Sequence, residues 1–374
     1  MEDESGRIRL DGVIAEIAHS FVTGVAVGVK GYVTTVGTFT VNELILLGDN
    51  LLYTCLNTTL TTPISIPQFK GSNKYILFVS GLKFGAAVTP SNLFSAQMLA
   101  DFVTGRLSSP EDSSGSPSGV IRVVVAGNSV VEATALSKDK AVSAKQQAAA
   151  AIPLDHFDMF LAQLLVNCPV EVIPGETDPC SINYPQQPLR SCLLPRATRF
   201  KNNLHLATNP YESKITFEEG RSVCLMGHSG KPLDDIALQT TSSATPVEAM
   251  DVSSGPETES SVEPSPSENC NDSPKNYLTM LENTLKWGNL CPTAPDSLPC
   301  YPVVEQDPFV LSYGEMTTPD IVFAGNTPAY ASSLYESKDQ THKTRVLCVP
   351  AFYKSKQAVL VNVDTLESHI LQFN

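Results

Sequence analysis

The alternation of apolar and polar positions divides the chain into regions with different periods. Over residues 7–66 short β-branched runs alternate with glycine. Ile8–Leu10, Val13–Ile17, Phe21–Val29, Gly31–Thr40 and Asn42–Leu47 predict strands, with Gly24, Gly28, Gly31 and Gly37 as the joints of a small, sharply coiled barrel. From about residue 72 the pattern turns to strand, helix, strand. Tyr75–Val79 predicts a buried strand, and Ser91 an N-cap for a helix carrying Leu93, Met98, Leu99 and Phe102. Val120–Val125 predicts a second buried strand. A polar, alanine-rich helix over 136–150 and another with Leu154, Phe157, Leu161, Leu164 and Leu165 on one face follow. Val170, Val172 and Ile173 then run into Pro174-Gly175. Buried strands alternating with helices imply a layered α+β core.

Further along, Leu204–Asn209 and Val223–Met226 lead to Gly227-His228-Ser229-Gly230. Residues 239–274 are then mostly Ser, Thr, Pro and Glu, too poor in large apolar side chains to offset ordering entropy, so a disordered insert is expected. Its Ser265-Pro266 and Ser273-Pro274 dipeptides have the form of proline-directed phosphorylation motifs. Pro274 opens a helix with Leu278, Leu281 and Leu285 on one face and Gly288 as its stop. Three tail strands are expected at Ile321–Ala324, Val346–Val349 and Ala358–Val363.

Composition narrows the function classes. The net charge of −14 argues against a protein whose main work is gripping phosphate backbones, although a local basic patch is compatible with it. The low aromatic content of the barrel region does not suggest the stacking platforms of a single-strand binder. Nine scattered cysteines, odd in number and without a C-x-x-C pair, read as reduced thiols of an intracellular protein. The charged start, M-E-D-E-S-G-R, is unlike a secretory signal, and no apolar run of membrane-spanning length is present.

The candidate chemistry lies at strand ends. Ser80-Gly81-Leu82, Gly127-Asn128-Ser129, Gly175-Glu176-Thr177-Asp178, Gly227-His228-Ser229-Gly230 and Gly325-Asn326-Thr327-Pro328 share one form. Their spacing resembles the calcineurin-like metallophosphoesterases, which place Asp-x-His, Gly-Asp, Gly-Asn-His and Gly-His-x-His ligands at successive strand ends. A two-metal centre needs several carboxylates and imidazoles converging on both ions. Here Ser80 and Leu82 stand where an Asp-x-His would lie. Asn128 and Val131 take the two aspartate places, Thr177 an imidazole place, and Asn326 and Pro328 those of the last two histidines. Glu176, Asp178, Asn128 and His228 remain, too few for a dinuclear site. Glu176 and Asp178 are expected to accept backbone N–H bonds, and His228 to be a hydrogen-bonded loop histidine. No catalytic, cofactor or metal residue is assigned.

Other segments carry a more specific resemblance. They are Phe78-Val79-Ser80-Gly81-Leu82, Ala126-Gly127-Asn128, Pro174-Gly175-Glu176, Pro185-Gln186-Gln187-Pro188-Leu189, Ala207-Thr208-Asn209-Pro210, Pro292-Thr293-Ala294-Pro295-Asp296, Asp307-Pro308-Phe309 and Phe323-Ala324-Gly325-Asn326-Thr327-Pro328. Together they resemble the small (B-type) subunits of the alpha, delta and epsilon replicative DNA polymerases, most of all the delta branch of that family. The resemblance implies an OB-fold over residues 1–70 and an inactivated calcineurin-like phosphodiesterase domain over 71–374. The function it implies is that of a nuclear, non-catalytic scaffold. Its partners would be the C-terminal cysteine-rich domain of the catalytic subunit and a third accessory subunit, and through them the sliding clamp and DNA. The family carries a longer N-terminal segment, so this chain begins at what reads as mid-barrel, which would leave an open strand edge. The alternatives are a B-type small subunit of the alpha or epsilon polymerase, a residual phosphoesterase using Asp178, Asn128 and His228, and a single-strand binder acting through the barrel.

Overall fold

A computed structural model describes residues 1–3, 6–48, 54–59, 74–85, 90–107, 119–131, 144–217, 220–242, 274–302, 307–311, 319–336 and 342–374. At the N-terminus β1 (Glu2–Asp3) and β2 (Gly6–Arg7) form a short ribbon. They are followed by β3 (Leu10–Gly12), helical turn α1 (Ile14–Ile17), β4 (Val27–Val33), β5 (Phe39–Leu46) and β6 (Thr54–Thr59). The next stretch contains β7 (Tyr75–Val79), α2 (Pro90–Val103), β8 (Val120–Ala126), α3 (Ala144–Leu165), β9 (Val170–Ile173) and β10 (Leu204–Leu206). Then come β11 (Tyr211–Thr216), β12 (Ser222–His228), α4 (Lys231–Ser242) and α5 (Pro274–Trp287). The chain closes with β13 (Ile321–Thr327), β14 (Ala331–Glu336), β15 (Lys343–Pro350), α6 (Phe352–Ser355), β16 (Gln357–Asn362) and β17 (Ser368–Gln372).

Two six-stranded sheets, β10-β9-β8-β7-β16-β17 and β11-β12-β13-β15-β14-β6, form a sandwich. The strands β7 to β10 are mutually parallel, as are β12, β13 and β15. Both faces of these strands are covered, which explains their nearly unbroken Val, Ile, Leu and Phe content. Ile76, Phe78, Val124 and Ile173 of the first sheet meet Val223, Leu225, Phe323 and Leu347 of the second in the inter-sheet core. On the outer face of the first sheet, Leu99 and Val103 of α2 and Phe157, Leu161 and Leu164 of α3 cover Leu77, Val79, Val123 and Val125. Ile236 of α4 and Leu278, Leu281 and Leu285 of α5 cover Val322, Ala324 and Val346 of the second sheet. Each fully buried aliphatic side chain contributes on the order of 1.5–3 kcal/mol, so these three cores carry the fold.

Several expectations need correction. Val13–Ile17 is not a strand; Ile14 and Ile17 sit in a single helical turn, a common ambiguity for short apolar runs. Gly31 does not separate strands but lies within β4 at a register shift, where an added Cβ would stand 1.9 Å from the Thr40 carbonyl. The hairpin turn falls instead at Thr34–Thr38. The expected pair of helices is one helix, α3, with Pro153 inside it, and residues 136–143 lie outside the described residues. Helix α2 starts at Pro90, so Ser91 falls within its first turn. Residues 239–242 of the expected insert are the end of α4, and 243–273 lie outside the described residues. Strands β11, β14 and β17 were not legible in the pattern.

The strand β6, expected with the N-terminal strands, pairs antiparallel with β14 at the edge of the second sheet. The N-terminal sheet has the order β3-β5-β4 and docks on the end of α5. Phe21 packs against Trp287 with ring centroids 6.2 Å apart, and Gly48 N–H donates to the Lys286 carbonyl at 2.9 Å. Thr23 Oγ1 donates to Asp296 Oδ2 at 2.5 Å. Close backbone contact fixes this seam, since a Cβ at Gly24 would lie 1.8 Å from the Pro292 carbonyl.

Candidate site at the strand ends

Because β7, β8 and β9 run parallel in one sheet and β12 and β13 in the other, their C-terminal ends meet at the same end of the sandwich, the usual place for a site in such folds. All five segments singled out from the sequence are brought together there. A Cβ on Gly81 would reach Asn326 Oδ1 at 2.5 Å, on Gly127 the Ser229 Cβ at 2.5 Å, and on Gly175 the Asn128 N at 2.3 Å. A Cβ on Gly325 would lie 2.5 Å from the Ala126 carbonyl. Glycine is required at these points because the turns pack directly on one another.

The polar side chains turn inward to serve this packing. Asp178 is buried; its Oδ1 accepts the N–H groups of Ser129 (2.8 Å) and Val130 (3.0 Å), and its Oδ2 accepts that of Gly175 (2.8 Å). Burial pushes its carboxyl up to about 6 against the lowering effect of these donors. Asn128, at φ +53°, accepts Thr177 N–H at 3.2 Å, and Thr177 Oγ1 donates to the Val130 carbonyl at 2.6 Å. Ser80 Oγ donates toward the Val349 and Pro350 carbonyls, both at 3.1 Å, and accepts Asn326 N–H at 2.9 Å. Asn326, at φ +56°, donates from Nδ2 to the carbonyls of Ala126 (3.1 Å) and Ser229 (2.7 Å), strapping one sheet to the other.

His228 closes β12 and is fully buried. Its Nδ1 accepts Gly230 N–H at 3.0 Å, so the neutral ring carries its proton on Nε2. Burial drives its pKa down to about 3. In this tautomer neither nitrogen offers a lone pair to a cation. Glu176 departs from expectation: it does not serve backbone donors but reaches out to Lys231 Nζ at 2.8 Å and stays half-exposed. Leu82 lies in the apolar core beneath α2 and α3, Val131 donates its N–H to the Phe84 carbonyl at 3.0 Å, and Pro328 is exposed. Among the described residues no group of three His, Cys, Asp or Glu side chains could hold a metal ion. The donor set does not fit a dinuclear centre: Asp178, Asn128 and His228 Nδ1 accept backbone N–H groups, Glu176 pairs with Lys231, and no further described carboxylate or imidazole joins them.

Four residues of this network were not singled out as site residues. Asn209 Nδ2 donates to Ser229 Oγ (2.7 Å) and Gln186 Oε1 (2.8 Å), and lies 3.3 Å from the Tyr184 hydroxyl. Asn209 Oδ1 accepts Ser229 N–H at 3.2 Å. The Asn209-Pro210 dipeptide marks a turn in the sequence, but nothing local connects it to Gln186 or Ser229.

This combination of a layered sandwich, a strand-end cluster of inward-turned polar side chains and a small N-terminal sheet has matches among known proteins. The family model for the B-type subunits of DNA polymerases alpha and epsilon matches residues 76–332, and one described as "DNA polymerase delta subunit OB-fold domain" matches residues 1–44. The chain belongs to this family of B-type DNA polymerase subunits. Among its relatives is the DNA polymerase delta small subunit of Oryza sativa subsp. japonica, 32% identical over all of this chain and 73% of that protein. The proteins of the same name from Arabidopsis thaliana and Saccharomyces cerevisiae are each 30% identical over all of this chain, covering 72% and 70% of their own lengths. These relatives are accessory B-type subunits rather than catalytic ones, in keeping with a role in DNA replication.

Proposed function

We propose that this chain is a non-catalytic scaffold subunit of a DNA polymerase delta-type holoenzyme, built on a phosphodiesterase-like sandwich whose metal site has been converted to structure. One observation carries the reading: Asp178, Asn128 and His228, the acceptors a metal would need, are bound to backbone N–H groups. A framework braced in this way presents preformed surfaces, which lowers the ordering cost of binding. Its partners are the C-terminal cysteine-rich domain of the catalytic subunit and a third accessory subunit, and through them the sliding clamp and DNA; its location is the nucleus. A division into an OB unit up to about residue 70 and a sandwich from there on belongs to the same proposal, with β6 lent to the sandwich.

Co-purification with a polymerase delta catalytic C-terminal domain tests the reading. We expect stoichiometric co-elution, and its failure with a longer N-terminus supplied sinks the scaffold. Phosphodiester hydrolysis with Mn²⁺ added is expected to be at background; turnover abolished by Asp178→Ala would establish an enzyme instead.

A further inference from the structure

Beside the strand ends lies a group of cations that the network above does not use. Lys83 Nζ sits 4.8 Å from the centroid of the Tyr353 ring, and Lys354 Nζ 5.7 Å from the same centroid. Lys356 Nζ donates to the Tyr353 carbonyl at 2.8 Å and to the Asn92 side chain. Three ammonium groups therefore gather around one tyrosine in a chain of net charge −14. The lysine ion pairs among the described residues are those of Lys30, Lys231 and Lys343, so no described carboxylate balances this cluster.

The cluster is held on the same rigid frame as the strand ends. Lys83 N–H donates to the Asn128 carbonyl at 3.1 Å, and Tyr353 N–H to the Gly81 carbonyl at 3.0 Å. Two of its lysines occupy left-handed backbone, Lys83 at φ +45° and Lys356 at φ +57°, where glycine would sit without steric cost. Two lysines kept in strained positions, two ammonium groups over one aromatic ring and no described carboxylate among them point to an anionic ligand.

We propose that Lys83, Lys354 and Lys356, positioned by Tyr353, form a contact site for the phosphodiester backbone of DNA. The choice of DNA among polyanions rests on the polymerase reading; the cluster itself does not. Backbone contacts of this kind are electrostatic and indifferent to sequence.

The test is fluorescence anisotropy with a labelled 20-mer, single-stranded and as a duplex, titrated with the full chain at 50 and 200 mM salt. Lys83→Gly removes a charge while relieving the left-handed strain, and Lys354→Gln changes an exposed position. The double variant is expected to bind about tenfold more weakly, with the salt slope reduced by about 1–2. Lys201→Gln, at an exposed site outside the cluster, should change affinity less than twofold. Whichever DNA form shows the loss is the form contacted. Undiminished binding by the double variant, an equal loss in Lys201→Gln, or no binding by the parent chain at 50 mM salt overturns the site. Should Lys83→Gly lower the melting temperature, Lys354→Gln alone carries the comparison, with about a threefold loss expected and none overturning the site. Co-elution of the same variants with the catalytic C-terminal domain separates the two readings. A parent chain that binds DNA but does not co-elute refutes the subunit role, and intact co-elution without DNA binding refutes the site.

Discussion

His228 and Asp178 carry most of what is decided at the scale of single residues. His228 is neutral in the fold and titrates near 6.5 when exposed, with a folded pKa of about 3. The unfolded chain therefore binds the extra proton first as pH falls. Stability from this residue is complete above pH 6.5 and is lost progressively from there down to about pH 3, by about 1.4 kcal/mol per pH unit. Replacing it by Asn keeps an acceptor for Gly230 N–H and removes the titration. Urea midpoints of His228→Asn should thus fall less steeply between pH 6.5 and 4 than those of the parent, and parallel curves would contradict a buried, neutral imidazole at this position. For Asp178→Asn, one amide NH₂ must face a backbone N–H, leaving a buried donor without an acceptor. The expected loss is about 2–3 kcal/mol by chemical denaturation; a neutral substitution would mean the three N–H bonds are not formed. That Asp178 serves backbone donors was legible in advance, because a carboxylate three residues after Gly175 fits a turn. The outward course of Glu176 was not. Its partner Lys231 lies at the start of α4, and only the approach of β9 and β12 puts the two within reach.

At the scale of elements, the closing turns of β8, β9, β12 and β13 behave as one block. Gly175→Ala would put a methyl group on the Asn128 amide, and Gly127→Ala would add a left-handed penalty at φ +76° to a clash with Ser229. Backbone cannot yield as a flexible side chain would, so each is expected to cost about 2–4 kcal/mol. Thermal unfolding checks this, and a loss under 1 kcal/mol would show that the strand ends can relax apart. Glycine at a strand end is visible in sequence, whereas which turn it faces is not. The same limit explains the errors in element assignment. Ile14 and Ile17 suit a helical turn as well as a strand, and nothing between 120 and 170 shows that one helix continues through Pro153. Strand β14 (ASSLYE) lacks the β-branched run that marks a strand and is made by pairing with β15 and β6.

For the whole molecule, the seam between the N-terminal sheet and α5 is where integrity can be followed directly. Trp287 is the only tryptophan and is buried against Phe21. Phe21→Ala should remove an aromatic contact worth about 0.5–1.5 kcal/mol beyond its area. It should also shift the emission to the red as water reaches the indole. Unchanged emission would mean that Trp287 is shielded by the sandwich alone.

The amino-acid sequence by itself determined the layered α+β core, the five strand-end segments and the family resemblance. These follow from local apolar runs, turn residues and short motifs that lie within a few positions of one another. Only the tertiary structure decided that β6 joins the sandwich and that Asn209 links Gln186 to Ser229. It alone also decided that His228 holds its proton on Nε2, and that Lys83 meets Tyr353 across about 270 residues of chain. Apart from the His228 tautomer, which is set by the neighbouring Gly230 N–H, each of these depends on segments far apart in the chain lying side by side, and local periodicity carries no information about that pairing.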